Sequence, residues 1–222
     1  MGNNFFQVAS ITRKVAMGAA GFFLILFLVV HLGINLCMLR PDDGVWFRAA
    51  SDFMGSNYII RIIEILLFLA LLVHIVLGVV LWLMNKRARP KRYFRTNRSE
   101  TAFMSKFMFH TGVIIAVFIL FHLFHFFYVK HGVVAPPEGV AKDDFIAMAE
   151  LLFTNAFYSF TYIIALVVLG FHLNHAFQSV FQTFGLYHNK YYTLIRRTAL
   201  VYAVVIAGGY ILIPVYYLFF FQ

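Results

Sequence analysis

Hydrophobic and polar positions alternate along this chain in blocks rather than residue by residue. Long apolar runs are separated by short segments that hold nearly all the charge, and about 20 consecutive apolar residues are what an α-helix needs to cross the hydrocarbon core of a bilayer. Charged or turn-rich flanks mark off five such runs: Val15 to Leu39, Tyr58 to Asn85, Ala102 to Val129, Phe145 to Thr183 and Thr198 to Phe221. The pattern predicts an all-α polytopic membrane protein, a single domain over residues 1–222 with five transmembrane helices in a bundle. Composition agrees, because a chain 62% hydrophobic and only 12% charged is too apolar to present a surface to water. The first run follows Arg13 and Lys14 as the core of a signal peptide would. It is 25 residues long and has no clear small-x-small cleavage pattern, so it is read as a retained helix.

Charge then sets the orientation, since Lys and Arg concentrate in the short cytoplasmic loops of membrane proteins. One side of the five runs carries 13 basic residues, among them those of "NKRARPKRYFRTNRSETA", against Glu100 alone; the other carries five basic and eight acidic residues. The first side is predicted to be cytoplasmic, with the N-terminus inside and the C-terminus outside. Positive loops are needed for topology alone, and they also suit a docking surface for a soluble partner. Nucleic acid is not expected as a partner, because these charges sit in the loops of a membrane protein.

Of nine histidines, six lie well inside the runs, His31, His74, His122, His125, His172 and His175, while His110 is near the inner end of its run and His131 and His188 are in loops. An ionisable side chain in a membrane is costly and marks a functional site by default. For a lone histidine a hydrogen bond to a neighbouring helix is sufficient reason, but here four of the five runs carry one. Depth sorts them. His31 lies 9 residues before Arg40 and His122 lies 8 before Lys130, both on outward helices, which puts each about 12 to 14 Å below the outer flank. His74 lies 12 residues before Lys86 and His172 lies 13 before Gly185, both on inward helices, about 18 to 20 Å above the inner flank.

Two layers of two histidines, each from different helices, are what two b-type haems with bis-histidine ligation require, since neutral imidazoles fill both axial positions without adding charge. Histidine must be the ligand of any metal here, because Cys37 is the only cysteine: there is no C-x-x-C-H for covalent haem and no thiolate set for an iron-sulfur cluster. A zinc site wants three or four ligands at one depth, commonly with a carboxylate. Proton-relay histidines come with Asp or Glu along the path, and Glu64, near the outer end, is the only acidic residue well inside a run. Gly18, Gly21, Gly33, Gly78, Gly112 and Gly170 leave room for a porphyrin face or, equally, for close helix packing.

This ordered set resembles the cytochrome b subunit of type B succinate:quinone oxidoreductases, the menaquinone-linked succinate dehydrogenases and fumarate reductases. The resemblance covers nearly the whole chain. It rests on the five runs, on His31, His74, His122 and His172, on "HTGVIIAVFILFHL" and "FHLNHAFQSVFQTFG", and on "GSNYIIRIIEILLFLALLVHIVLG" with the "NKRARPKRY" loop. The family's pattern implies that His31 and His122 hold one haem and His74 and His172 the other. Its third-helix T-G pair, matched to Thr111 and Gly112, selects His122 over His125, and its fourth-helix H-to-G spacing, matched to Gly185, selects His172 over His175.

The resemblance further implies a bacterial cytoplasmic membrane. It also implies an iron-sulfur subunit docked on the basic cytoplasmic face, a flavoprotein subunit carrying FAD and the succinate chemistry, and menaquinone as this chain's substrate. Some members carry a glutamate two residues before the fourth-helix ligand for transmembrane proton transfer; here that residue is Gly170, which argues against that route. Given two haems, His175, Arg196 and Arg197 are candidates for propionate contacts at the inner one and His125 at the outer, guanidinium pairing well with carboxylate. Glu64, 10 residues before His74 and so about 15 Å further outward, is the candidate group at a menaquinone site, where reduction takes up protons. An ion pair with Arg61, three residues away, is the competing reading of Glu64. The competing functions are the anchor of another respiratory enzyme such as a hydrogenase or formate dehydrogenase, a free-standing ferric or ascorbate-linked reductase, and a haem-free transporter.

Overall fold

The structure, a computed structural model, describes residues 2–87, 100–186, 188 and 190–221. Most of the basic loop between the second and third runs, Arg89 to Arg98 included, lies outside the described residues. The described elements are helical throughout: α1 (Gly2–Leu36), α2 (Val45–Ser56), α3 (Tyr58–Arg87), α4 (Glu100–His122), α5 (Phe145–Phe153), α6 (Ala156–Thr183) and α7 (Tyr192–Phe219). A π-helical turn, Leu123–Phe127, and a last α-helical turn, Tyr128–Lys130, extend α4 without a break. Five helices are long and apolar enough to cross a membrane, at Ile11–Leu39, Tyr58–Arg87, Lys106–Lys130, Ala156–Thr183 and Tyr192–Phe219. Helices suit that setting because every interior backbone N–H and C=O finds its partner within the segment.

Two expectations are corrected. The apolar stretch Phe145 to Thr183 is two helices, not one span. Asn155 accepts from the Phe157 N–H and so starts α6 afresh, while the Thr154 hydroxyl donates to the Glu150 carbonyl at the end of α5. The last span begins at Tyr192 rather than Thr198, since Arg196 and Arg197 ride on its first turns. The connection from Leu39 to Tyr58 contains α2. It is entered through Asp43 and Gly44, both at positive φ, and left through Asn57, whose side chain accepts from the Ile59 and Ile60 N–H groups.

Phe47 of α2 meets Phe145 of α5 at 6.5 Å, so these short helices together cap one end of the bundle. The opposite end carries Arg13, Lys86 and Arg196.

Where lipid is the solvent, helices associate by close packing of small residues rather than by escape from water. The α6 and α7 pair follows that rule. Ile195, Ala199, Ala203, Ile206, Ala207, Tyr210, Ile213 and Tyr217 form one buried stripe of helical period on α7. Against it lies Gly170, where an added Cβ would come within 3.1 Å of the Ala207 Cβ. Two hydrogen bonds tie α7 to α1, from the Tyr202 hydroxyl to the Ile25 carbonyl at 2.7 Å and from Tyr210 to the Leu28 carbonyl at 3.0 Å. Thus α1, α6 and α7 make a close-packed core. By contrast no residue of α3 is buried, although α3 carries His74.

Candidate functional site

The four span histidines singled out as ligands meet in two pairs, each made by two helices. His31 on α1 faces His122 on α4 with ring centroids 5.9 Å apart and planes at 79°. His74 on α3 faces His172 on α6 at 6.4 Å and 70°. Two independent rulers give the separation of the pairs. Along α1, Gly21 touches the His74 ring and His31 follows 10 residues later, about 15 Å on. Along α4, Thr111 touches His172 and His122 follows 11 residues later, about 16 Å on. The His31 and His122 pair is the one nearer the capped end.

Around that pair the walls are aromatic. Phe27 stacks on His31 at 5.0 Å, Tyr210 lies 5.8 Å from the same ring, and Phe118 and Phe126 flank His122 at 6.0 and 5.3 Å. Asn35, one turn beyond His31, brings its amide nitrogen to 3.4 Å from Nε2, at the outer limit of a hydrogen bond. Immediately after His122 the helix widens into the π turn, a feature that recurs at functional sites. On that turn His125 Nδ1 pairs with the Tyr162 hydroxyl at 3.1 Å.

Glycines seat the other pair. A Cβ added to Gly21 would lie 3.4 and 3.5 Å from Cε1 and Nδ1 of His74, and one added to Gly112 would lie 3.7 Å from Cε1 of His172. Each ring therefore rests its Nδ1–Cε1 edge on the backbone of a neighbouring helix. His172 Nδ1 meets the Thr111 hydroxyl at 3.1 Å. His74 Nδ1 is buried without a hydrogen bond of good geometry, although the Met17 carbonyl interacts with the ring. The remaining glycines divide as the two readings of them allowed: Gly18 packs on Thr183, Gly78 on Met17 and Gly170 on α7, while Gly33 faces open space.

Other candidates fall in different surroundings. His175 stands one turn beyond His172 toward the uncapped end and is half-buried, as is Arg196 at the start of α7, whereas Arg197 is exposed. Glu64 is half-buried near the capped end of α3, one turn from Phe68, whose ring meets Phe127 of the π turn at 4.9 Å. The Arg61 ion pair is not formed: its guanidinium donates twice to the Gly55 carbonyl at 3.3 Å, and among the described residues Glu64 has no ion pair. Thr111, Tyr162 and Tyr210 touch the paired histidines but were not picked out as site residues. The one sequence signal for Thr111 was its place beside Gly112.

These pairs fit two-coordinate capture of a metal from opposite sides. Two metal–imidazole bonds of about 2 Å each, plus the half-width of each ring, separate centroids by roughly 6 Å. No group of three or more His, Cys, Asp or Glu that would hold a bare ion is found among the described residues. A metal that asks the protein for only two ligands, such as a haem iron, would find two imidazoles in each pair. Fold and site together define a polytopic helical membrane protein with two stacked pairs of intramembrane histidines. Comparison with protein families, with characterised proteins and with solved structures gave no match.

Proposed function

We propose that this chain is the di-haem cytochrome b anchor of a succinate:quinone oxidoreductase, passing electrons between an iron-sulfur subunit and menaquinone in a bacterial cytoplasmic membrane. The observation that carries the reading is the pairing of four histidines from four helices at two depths, with ring separations of 5.9 and 6.4 Å. His31 with His122 and His74 with His172 would hold the two haems. A b-type haem closed on both faces by imidazole supplies one-electron transfer and offers no open position to substrate.

The chain's own residues supply the rest. Phe27, Phe118, Phe126 and Tyr210 keep water from the pair near the capped end. Glu64, with no ion pair to Arg61 and one turn from Phe68, would deliver a proton to a menaquinone oxygen at that end. The basic end offers Arg13, Lys14, Lys86 and Arg87 to the iron-sulfur subunit, beyond which the FAD-bearing subunit interconverts succinate and fumarate. This end is cytoplasmic by the distribution of Lys and Arg. His175, Arg196 and, less buried, Arg197 lie at the right level to meet propionates there, and His125 at the other level.

Purification from the protein's own membranes in mild detergent tests the reading. Flavoprotein and iron-sulfur subunits should accompany the chain, with menaquinone turnover linked to succinate or fumarate. Hydrogenase or formate dehydrogenase subunits in their place, or a haem-free chain without partners, would overturn it.

A further inference from the structure

Thr111 has its hydroxyl oxygen between two groups, 3.0 Å from the Met108 carbonyl and 3.1 Å from His172 Nδ1. A hydroxyl has one proton to give. The Met108 carbonyl can only accept, so if the proton goes there the oxygen can only accept from His172. Threonines of this bundle spend their proton in that way on their own helix: Thr154 on Glu150, Thr161 on Phe157 and Thr183 on Ser179, at 2.7, 2.7 and 2.9 Å. Such back-bonding to a carbonyl one turn earlier is common for helical threonine. The consequence for His172 is a defined tautomer, with the proton on Nδ1 and the lone pair on Nε2.

We infer that Thr111 is a positioning residue that fixes His172 as an Nε2 ligand and raises the basicity of that nitrogen. This rests on the haem reading above and extends it. Gly112, next to Thr111, lies beside the same ring, where an added Cβ would stand 3.7 Å from Cε1. No other member of the two pairs is held by a hydroxyl at Nδ1. His74 has the Met17 carbonyl beside its ring without a hydrogen bond of good geometry, and the polar neighbour of His31 is Asn35 at Nε2, the nitrogen a metal would take. A hydrogen bond from the outer N–H of a ligating imidazole orients the ring and strengthens its donation to the metal. Stronger donation favours ferric over ferrous iron, so the bond lowers the midpoint potential at the His74 and His172 site, and its loss raises it.

Thr111→Val keeps the shape and removes the hydroxyl; Thr111→Ser keeps the hydroxyl. Both full-length variants are titrated by optical spectroscopy beside the unmodified chain, with haem content measured. In Thr111→Val one of the two titrating components should move to higher potential, by about 59 mV for each tenfold loss of ferric preference. The other component should stay in place, and Thr111→Ser should titrate like the unmodified chain. Loss of one haem from the valine variant, with both retained by the serine variant, supports the same role through ligand affinity. Unchanged potentials in Thr111→Val, or serine and valine variants that behave alike, overturn the inference while the haem reading stands. An unmodified chain without haem overturns both.

Discussion

At the scale of single residues, the histidines were legible because an imidazole in an apolar run has few reasons to be there. The depth count sorted the histidines into two layers, the family pattern chose His122 over His125 and His172 over His175, and the structure brings the rings of His31 and His122 and of His74 and His172 together. Their supports were not legible. A threonine on an apolar helix ordinarily bonds its own backbone, so the second partner of Thr111 shows only in three dimensions. Tyr162 and Tyr210 were hidden among 12 tyrosines that read equally well as an interfacial belt. Glu64 was visible as a lone carboxylate, but its relation to Arg61 was not, since three-residue spacing permits an ion pair without requiring one. With Arg61 turned to the Gly55 carbonyl, Glu64 keeps its oxygens for another group. Glu64→Gln is therefore expected to slow menaquinone-linked turnover by about 10²-fold or more. Both haems and succinate oxidation by artificial acceptors should be unaffected. Quinone turnover at the unmodified rate would refute the assignment.

At the scale of elements, hydropathy located five spans because length and apolarity are what a bilayer selects, and it misplaced ends where local chemistry decides. The break between α5 and α6 depends on one asparagine cap in a stretch that stays apolar on both sides. The 12 residues of α2 are too few to announce themselves as a span. The π turn leaves no mark in hydropathy, since it is one extra residue in a helix that continues unbroken. It turns His125 toward Tyr162 and buries Val129 beyond it. Deleting Phe124, an exposed residue of that turn, should remove the extra residue and restore an ordinary α-helix, leaving Val129 in register but shifting His125 on the turn. The His125–Tyr162 hydrogen bond would be lost, at a cost of about 1 kcal/mol. Thermal unfolding in detergent should show a lower Tm while His122, which precedes the deletion, still pairs with His31. An unchanged Tm would mean that the π turn is incidental.

At the scale of the whole molecule, the packing is uneven. Small residues and one buried stripe close α6 and α7 upon each other and upon α1, while α3, with no buried residue, lies against α1 at Gly21 and Gly78 and contributes one histidine. The two pairs lie about 15 Å apart along the bundle, far enough for two separate groups and close enough to form one path between its ends. That the site holds two haems is the central claim, and haem stoichiometry tests it most directly. The purified chain should contain two b-type haems per polypeptide, ligated by His31 with His122 and by His74 with His172. His31→Ala should lose one haem and keep most of the other. A chain that purifies folded with one haem or none, or a His31→Ala variant that retains both, would contradict the account.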